Sequence, residues 1–242
     1  VICEPSLDNY EQTCEKLEEF GVTPPPNEPD LTTLLDKYGD ELEAAFIVTP
    51  HVFHHDQTKM CLEAGIDVLL EKPMVMNAQE AESLIETQKR TGKLLVVAFQ
   101  GGLSPQIREA ARLIQSGELG TLFNVSATVW QGWKNATAGT WRQEPAIAGG
   151  GFMFDTGAHM LNSVCTLVGE DFQTVTAWHD NRGTDVDING VVMGKLESGA
   201  LVTLNCCGDT IKAIDSEIFV VLSEGIIRTG QWGERLFVQR SG

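Results

Sequence analysis

The sequence predicts an α/β protein: a doubly wound parallel sheet, then an α+β domain with a large, mostly antiparallel, open sheet. Three observations carry this. Through residue 100, apolar runs of strand length alternate with segments of helical periodicity. Those runs, AAFIVTP (44–50), IDVLLEKP (66–73) and KLLVVAFQ (93–100), are apolar without alternation, as in strands buried on both faces beneath crossover helices. After residue 171 strand follows strand with almost no helical pattern. The boundary is expected at 102/103, giving domains over 1–102 and 103–242.

Taken in order, Val1–Glu4 reads as a short strand closed by an acid and Pro5. Residues 8–20 have helical periodicity and stop at Gly21, and VTPPPNEP is a loop. Asp30 caps a helix through Leu34, Leu35 and Tyr38. Residues 51–64 form a helix ending at Gly65, and Asn77 caps a helix over 78–90 that ends before Gly92. Ser104–Ser116 is a helix, Thr121–Trp130 alternates as a strand, and 131–150 is a loop rich in Trp, Gly and Thr. From Asp171 onward, TVTAWH, INGVVMGKL, GALVTLNC, SEIFVVLS, IIRTG and RLFVQ are strand-like.

The totals exclude several classes. With 42% hydrophobic and 21% charged residues, the chain is globular rather than disordered. No apolar run reaches the ~18–20 residues that cross a bilayer, and VICEPSLDNY lacks the basic start of a signal peptide. A net charge of −17 argues against nucleic acid and anionic membranes, whose recognition needs clustered Lys and Arg. The six cysteines, at 3, 14, 61, 165, 206 and 207, have no C-x-x-C spacing and read as reduced thiols of a cytoplasmic protein.

Parallel α/β sheets bind ligands beyond the carboxyl ends of their strands. Here those ends are Glu4, Thr49–Pro50, Glu71–Lys72–Pro73 and Gln100. A second concentration of chemistry is GGGFMFDTGAH (149–159). One reading is a glycine turn, a capping Asp155 and a core His159. The other is a backbone close to a ligand, with Asp155 and His159 at i and i+4 on one helix face. An imidazole titrates near neutral pH, as proton transfer requires. His51, His54 and His55 form H-x-x-H-H, but no further Cys or His stands at ligand spacing, so no metal site is expected.

TPHVFH (49–54), LEAGIDVLLEKP (62–73), SPQIREAARLIQSGELG (104–120), WRQEP (141–145) and GGGFMFDTGAH occur in that order across nearly the whole chain. Together they resemble the Gfo/Idh/MocA family, the oxidoreductases similar to glucose–fructose oxidoreductase and inositol dehydrogenase. E-K-P alone is weak; E-K-P at a strand end, followed about 80 residues later by G-G-G-x-x-x-D-x-G-x-H, is specific.

The resemblance implies a partial Rossmann-like domain binding NAD, with NADP as the alternative, and a C-terminal domain for substrate binding and oligomerisation. It implies three catalytic residues. His159 takes the proton of a substrate hydroxyl, Lys72 polarises the same oxygen and Asp155 orients them. It implies cofactor contacts from Glu4, Thr49, Pro50, His54, Glu71, Lys72, Pro73, Gln100, Trp141 and Arg142. Substrate contacts fall to Lys72, Arg142, Asp155 and His159. Glu4 stands where an acid accepts ribose hydroxyls and repels a 2′-phosphate, which favours NAD. Gln131, Trp133 and Lys134 fall in the family's variable substrate loop.

Two departures stand out. The family's G-x-G-x-x-G turn has no counterpart here, Val1 reads as the start of its second strand, and the sequence stops inside the sheet domain. We therefore expect a piece of a longer protein. Gly101–Gly102 stand where the family often carries a polar or basic pair, so a wider pocket or an altered cofactor contact is expected. The implied reaction moves hydride between a secondary alcohol of a sugar, cyclitol or related polyol and nicotinamide. Two alternatives stay open: an NAD-dependent glycosidase acting by transient oxidation, and a non-catalytic dinucleotide or sugar sensor. A homodimer or homotetramer through the C-terminal sheet is the expected assembly.

Overall fold

The computed structural model describes residues 1–211 and 215–241. The chain forms two compact units, one of residues 1–49, 53–70 and 78–96, the other of 50–52, 71–77 and 97–242.

In the first unit, α1 (Leu7–Glu19) is capped by Ser6, whose hydroxyl accepts the Asn9 N–H, and α2 (Leu31–Tyr38) by Asp30, whose carboxylate accepts the Thr33 N–H. β1 (Ala44–Ile47), β2 (Asp67–Leu70) and β3 (Leu95–Val97) form a sheet with β2 central. β1 and β2 run parallel, with Ala44 opposite Asp67 and Ile47 opposite Leu70. α3 (His54–Glu63) and α4 (Ala78–Thr91) pack against each other, and Ile47, Leu62, Ile66, Val68, Leu70 and Leu84 are buried.

Two expectations change here. Val1–Glu4 is not a strand but a single parallel bridge between Ile2 and Asn27. The neighbouring Pro24–Pro25–Pro26 run has no N–H to extend a ladder, and the Glu4 N–H donates to the Asn27 side chain instead. The early strands are also not covered on both faces. Phe46 of β1 is 73% exposed while Ile47 is buried, and α1 buries none of its residues.

The second unit is built on seven strands: β4 (Leu122–Trp130), β5 (Phe172–Asp180), β6 (Asn189–Leu196), β7 (Leu201–Cys207), β8 (Glu217–Leu222), β9 (Gly225–Thr229) and β10 (Leu236–Arg240). Their order is β10-β9-β8-β4-β7-β6-β5, and every pairing is antiparallel except β4 with β7. α5 (Pro105–Gln115), started by Ser104 and Pro105, packs against α9 (Gly157–Val168). Both contribute to one core with inward residues such as Val202, Leu204, Ile218 and Val220. The outer face shows Trp178, Val191, Met193, Leu201, Phe219 and Phe237 to solvent.

The stretch expected as a loop over 131–150 instead holds α6 (Trp133–Ala136), a 3-10 turn (Trp141–Gln143) and α7 (Pro145–Ala148). Burial of the Trp133 ring, Pro145 at the first helical position and Gly149 in the left-handed region at the C-cap account for the short helices. α8 (Phe152–Asp155) completes the set. Among the described residues no helix is long and apolar enough to cross a membrane.

Candidate functional site

β2 ends at Leu70, and the chain leaves it through Glu71–Lys72–Pro73, with a cis bond before the proline. The Lys72 ammonium donates to the Asp155 carboxylate oxygen Oδ1 and, at 3.2 Å, to the Asp155 main-chain oxygen. The other carboxylate oxygen, Oδ2, accepts the Trp133 indole N–H at 2.8 Å, and Arg142 Nε stands 3.7 Å from it. Lys72 and Asp155 both belong to the second unit, and their side chains are only 16% and 11% exposed. Burial works to raise the Asp155 carboxyl, but Lys72, the indole N–H and Arg142 outweigh it and hold the group below its ordinary value. It is an anion at neutral pH.

Two expectations for GGGFMFDTGAH are corrected. Asp155 and His159 do not share one helix: Asp155 ends α8, Thr156 interrupts, and His159 lies in α9. Nor does Asp155 cap α9, whose N-cap residue Thr156 makes no side-chain cap bond, since both Asp155 oxygens face Lys72 and Trp133. The glycines also have an internal reason. A Cβ on Gly151 would overlap the Asp187 carbonyl oxygen, and one on Gly150 would stand 2.6 Å from Phe154 Cβ. The Asp187 carboxylate accepts the N–H groups of Gly151 and Met153, each at 2.7 Å, and so caps α8 from outside.

His159 is 8% exposed. Its ring lies 4.4 Å from that of Trp232 and 5.6 Å from that of Phe99, both edge-on. Its Nδ1 is buried and without a hydrogen-bond partner. Burial first, and the Lys72 ammonium second, push the imidazole down to about 4, against an opposing pull from Asp155. The ring is neutral at pH 7 and able to accept a proton.

The remaining residues divide. Arg142 stacks over Trp141, 4.5 Å from the ring centroid, and the other face of this cluster is His51, whose ring meets Trp141 edge-on at 4.8 Å and donates to the Ala148 carbonyl at 2.7 Å. His54 is fully buried, and its Nε2 donates to the Thr49 carbonyl at 2.8 Å. His55 pairs with Asp56 and Ser83, so the three histidine rings point to three different partners. The Thr49 hydroxyl donates to Gln57, and the Glu71 carboxylate accepts the Lys72 N–H. Glu4 accepts the Ser6 N–H. Gln100 is exposed at the start of the 3-10 turn Gln100–Leu103. Gln131 accepts from the Thr156 hydroxyl, and Lys134 reaches the Arg182 carbonyl and Asp209.

Trp133 is thus a partner of Asp155, where the sequence pointed only to a substrate loop. Asp187, Phe99 and Trp232 had no signal: each lies far along the chain from the residue it serves.

Two cavities lie in the second unit. One of about 500 Å³ lies between Phe154, Ala158 and Leu161 on one side and Phe172, Val175 and Val192 of the sheet on the other, and Pro73 touches it. Lys72, Asp155 and His159 do not line it. The other, about 330 Å³, is bounded by Thr140, Gln143, Glu144, Thr184 and Asp185.

Comparison with known proteins follows the same division. Residues 2–99 match the family model described as an oxidoreductase family with an NAD-binding Rossmann fold, and residues 107–228 match the GFO/IDH/MocA C-terminal domain. Oxidoreductase P35 of Formosa agariphila is 30% identical over 161 residues, 64% of this chain and 50% of that protein. The D-glucoside 3-dehydrogenase of Escherichia coli K12 is 25% identical over 174 residues, 70% of this chain and 46% of that protein. The chain spans about half the length of these relatives. The crystal structure of an inositol dehydrogenase homologue from Azotobacter vinelandii, complexed with NAD+, aligns with a TM-score of 0.84 at 21% identity, covering 100% of this chain and 69% of that one; this is a likeness of fold. The C-terminal model alone spans half the chain, the N-terminal model adds most of the rest, and the chain belongs to the GFO/IDH/MocA family of oxidoreductases.

Proposed function

We propose that the protein is an NAD(P)-dependent dehydrogenase acting on a secondary alcohol of a sugar, cyclitol or related polyol. The observation that carries this is the buried Lys72–Asp155 pair beside a neutral, buried His159. Relatives whose names specify sugar substrates, the D-glucoside 3-dehydrogenase and a levoglucosan dehydrogenase, support the substrate class.

Glu4, one of whose carboxylate oxygens accepts the Ser6 N–H, carries a charge that opposes a 2′-phosphate, which favours NAD over NADP. Lys72 and His159 offer a donor and an acceptor at the reacting end. When bound, nicotinamide supplies the hydride acceptor. The chain's own residues supply the rest. Two of the three Lys72 N–H groups are held by Asp155, which leaves one to donate to the substrate oxygen. His159, neutral at pH 7, takes the hydroxyl proton as hydride leaves the same carbon. Asp155 balances the ammonium and fixes its position, with Trp133 and Arg142 holding the carboxylate.

We assign residues 1–102 to the cofactor and 103–242 to substrate and assembly. A second copy covers the outer face of the seven-stranded sheet, where Trp178 is 62% exposed and Phe237 57%. Light scattering on the intact protein should show at least a dimer; a monomer contradicts this. Free thiols at all six cysteines support a cytoplasmic location. The central test is turnover on a polyol panel by Lys72→Ala and His159→Ala. Each should abolish NAD reduction, and full activity in either overturns the assignment. Glycoside cleavage without net NAD consumption would replace it with the glycosidase chemistry.

A further inference from the structure

We propose that Gly101, Gly102 and the turn 230–235 form one device that seats Trp232 against His159, making Trp232 a positioning residue for that imidazole. The inference rests on His159 being the proton acceptor proposed above.

The turn joins β9 to β10 and is tied at several points. The Thr229 hydroxyl donates to the Arg235 carbonyl at 2.7 Å, and the Gln231 N–H donates to the Ser216 hydroxyl at 2.9 Å. Gly233, at φ 71°, lies in the left-handed region that lets the chain reverse. The decisive tie is to α9: the Ser163 hydroxyl donates to the Gln231 carbonyl at 2.6 Å. Ser163 is four residues beyond His159, so the bond and the imidazole share one face of the helix. The residue after Gln231 is Trp232, and its ring lands on His159.

The glycine pair makes room for this. A Cβ on Gly101 would overlap the Gln231 carbonyl oxygen and stand 2.9 Å from Ser163 Oγ. A Cβ on Gly102 would stand 3.0 Å from Thr166 Oγ1 and 3.1 Å from Asn162 Oδ1. Any side chain at 101 would push the turn off α9. Phe99, two residues earlier, also meets the ring edge-on, at 5.6 Å. His159 therefore packs against two aromatic rings, and its Nδ1 is shut off from water.

The charges that act on the imidazole are Lys72, from 71–77, and Asp155, from α8. α9, β4, β7 and the turn 100–103 carry no charged residue. On α5, Arg108, Glu109 and Arg112 are exposed, and the last two pair with each other. On the turn itself Glu234 is exposed, and Arg235 is bonded to Ser216 and Glu217; Arg228 of β9 also pairs with Glu217.

The test follows the His159 ring signal by NMR against pH in the intact protein, assigned with His159→Asn. Trp232→Leu should raise its midpoint from about 4 towards the ordinary histidine value of 6.5, whereas Trp232→Phe, which keeps a ring, should stay near wild type. Gly101→Ala should move it in the same direction as Trp232→Leu. The acidic limb of kcat/KM should follow these shifts while KM changes little. An unmoved midpoint in a natively folded Trp232→Leu overturns the proposal. If the midpoint moves and the kcat/KM limb does not, the seating of the ring stands and the proton-acceptor role of His159 falls.

Discussion

Replacing Trp133 with phenylalanine tests how the Asp155 carboxylate is held. The variant keeps an aromatic ring next to Phe152, whose centroid is 6.0 Å away, but loses the indole N–H that donates to Oδ2 at 2.8 Å. A hydrogen bond to a charged, buried acceptor contributes about 1.5–3 kcal/mol. Arg142 cannot stand in for it, because its Nε is 3.7 Å away and its side chain is 42% exposed. The loss should therefore show almost in full at neutral pH. Its pH dependence has a definite sign. A carboxyl depressed in the fold adds stability above its ordinary value of 3.8 and loses it as pH falls through the folded value. Trp133→Phe lessens that depression, so its destabilisation should be greatest at neutral pH and narrow below 3.8. Urea unfolding at a series of pH values reads this directly. A wild-type midpoint at neutral pH, or a deficit that widens on acidification, would refute the reasoning.

Further outcomes follow from the same geometry. Lys72→Met leaves a buried carboxylate without its cation and should cost about 3–5 kcal/mol, seen as a lower urea midpoint. Gly151→Ala forces a Cβ onto the Asp187 carbonyl oxygen and should destabilise by the upper part of about 1–3 kcal/mol, measured by thermal melting. Asp187→Ala removes the acceptor for two N–H groups at the start of α8 and should cost about 0.5–2 kcal/mol, with Asp187→Asn retaining part of it. For His159, the unfolded chain takes up a proton that the fold refuses. Wild-type stability should thus fall as pH drops from 6.5 towards about 4, and His159→Gln should remove that part of the slope. Equal slopes in the two proteins would contradict a neutral, buried imidazole.

Local chemistry was the legible part of the sequence. Asp30 starts α2 through its own side chain, and the alternation in β7 and β8 sets which residues face the core. Such signals act within a few residues and need no tertiary knowledge. Val1–Glu4 failed as a strand because pairing depends on a neighbour, and the neighbour is a proline run without donors. Phe46 is apolar yet 73% exposed, because apolar character does not encode whether another element covers the side chain. At the site, the proximity of Lys72 to Asp155 agrees with the family motif, but the Trp133 donor, the Asp187 cap and the Trp232 wall join residues 22, 36 and 73 positions apart. No periodicity encodes contacts at such separations. His54 shows the converse, a motif position whose Nε2 is bonded to the Thr49 carbonyl five residues earlier.

The Asp187 cap also bears on re-engineering. The start of α8, and through it Asp155, is anchored to the connection between β5 and β6 rather than to its own sequence neighbours. Lengthening, trimming or grafting that connection would shift Gly151 and Met153, and the carboxylate would move with them. Loop swaps across residues 181–188 are consequently not modular, and libraries built there should carry Asp187 and its backbone geometry unchanged.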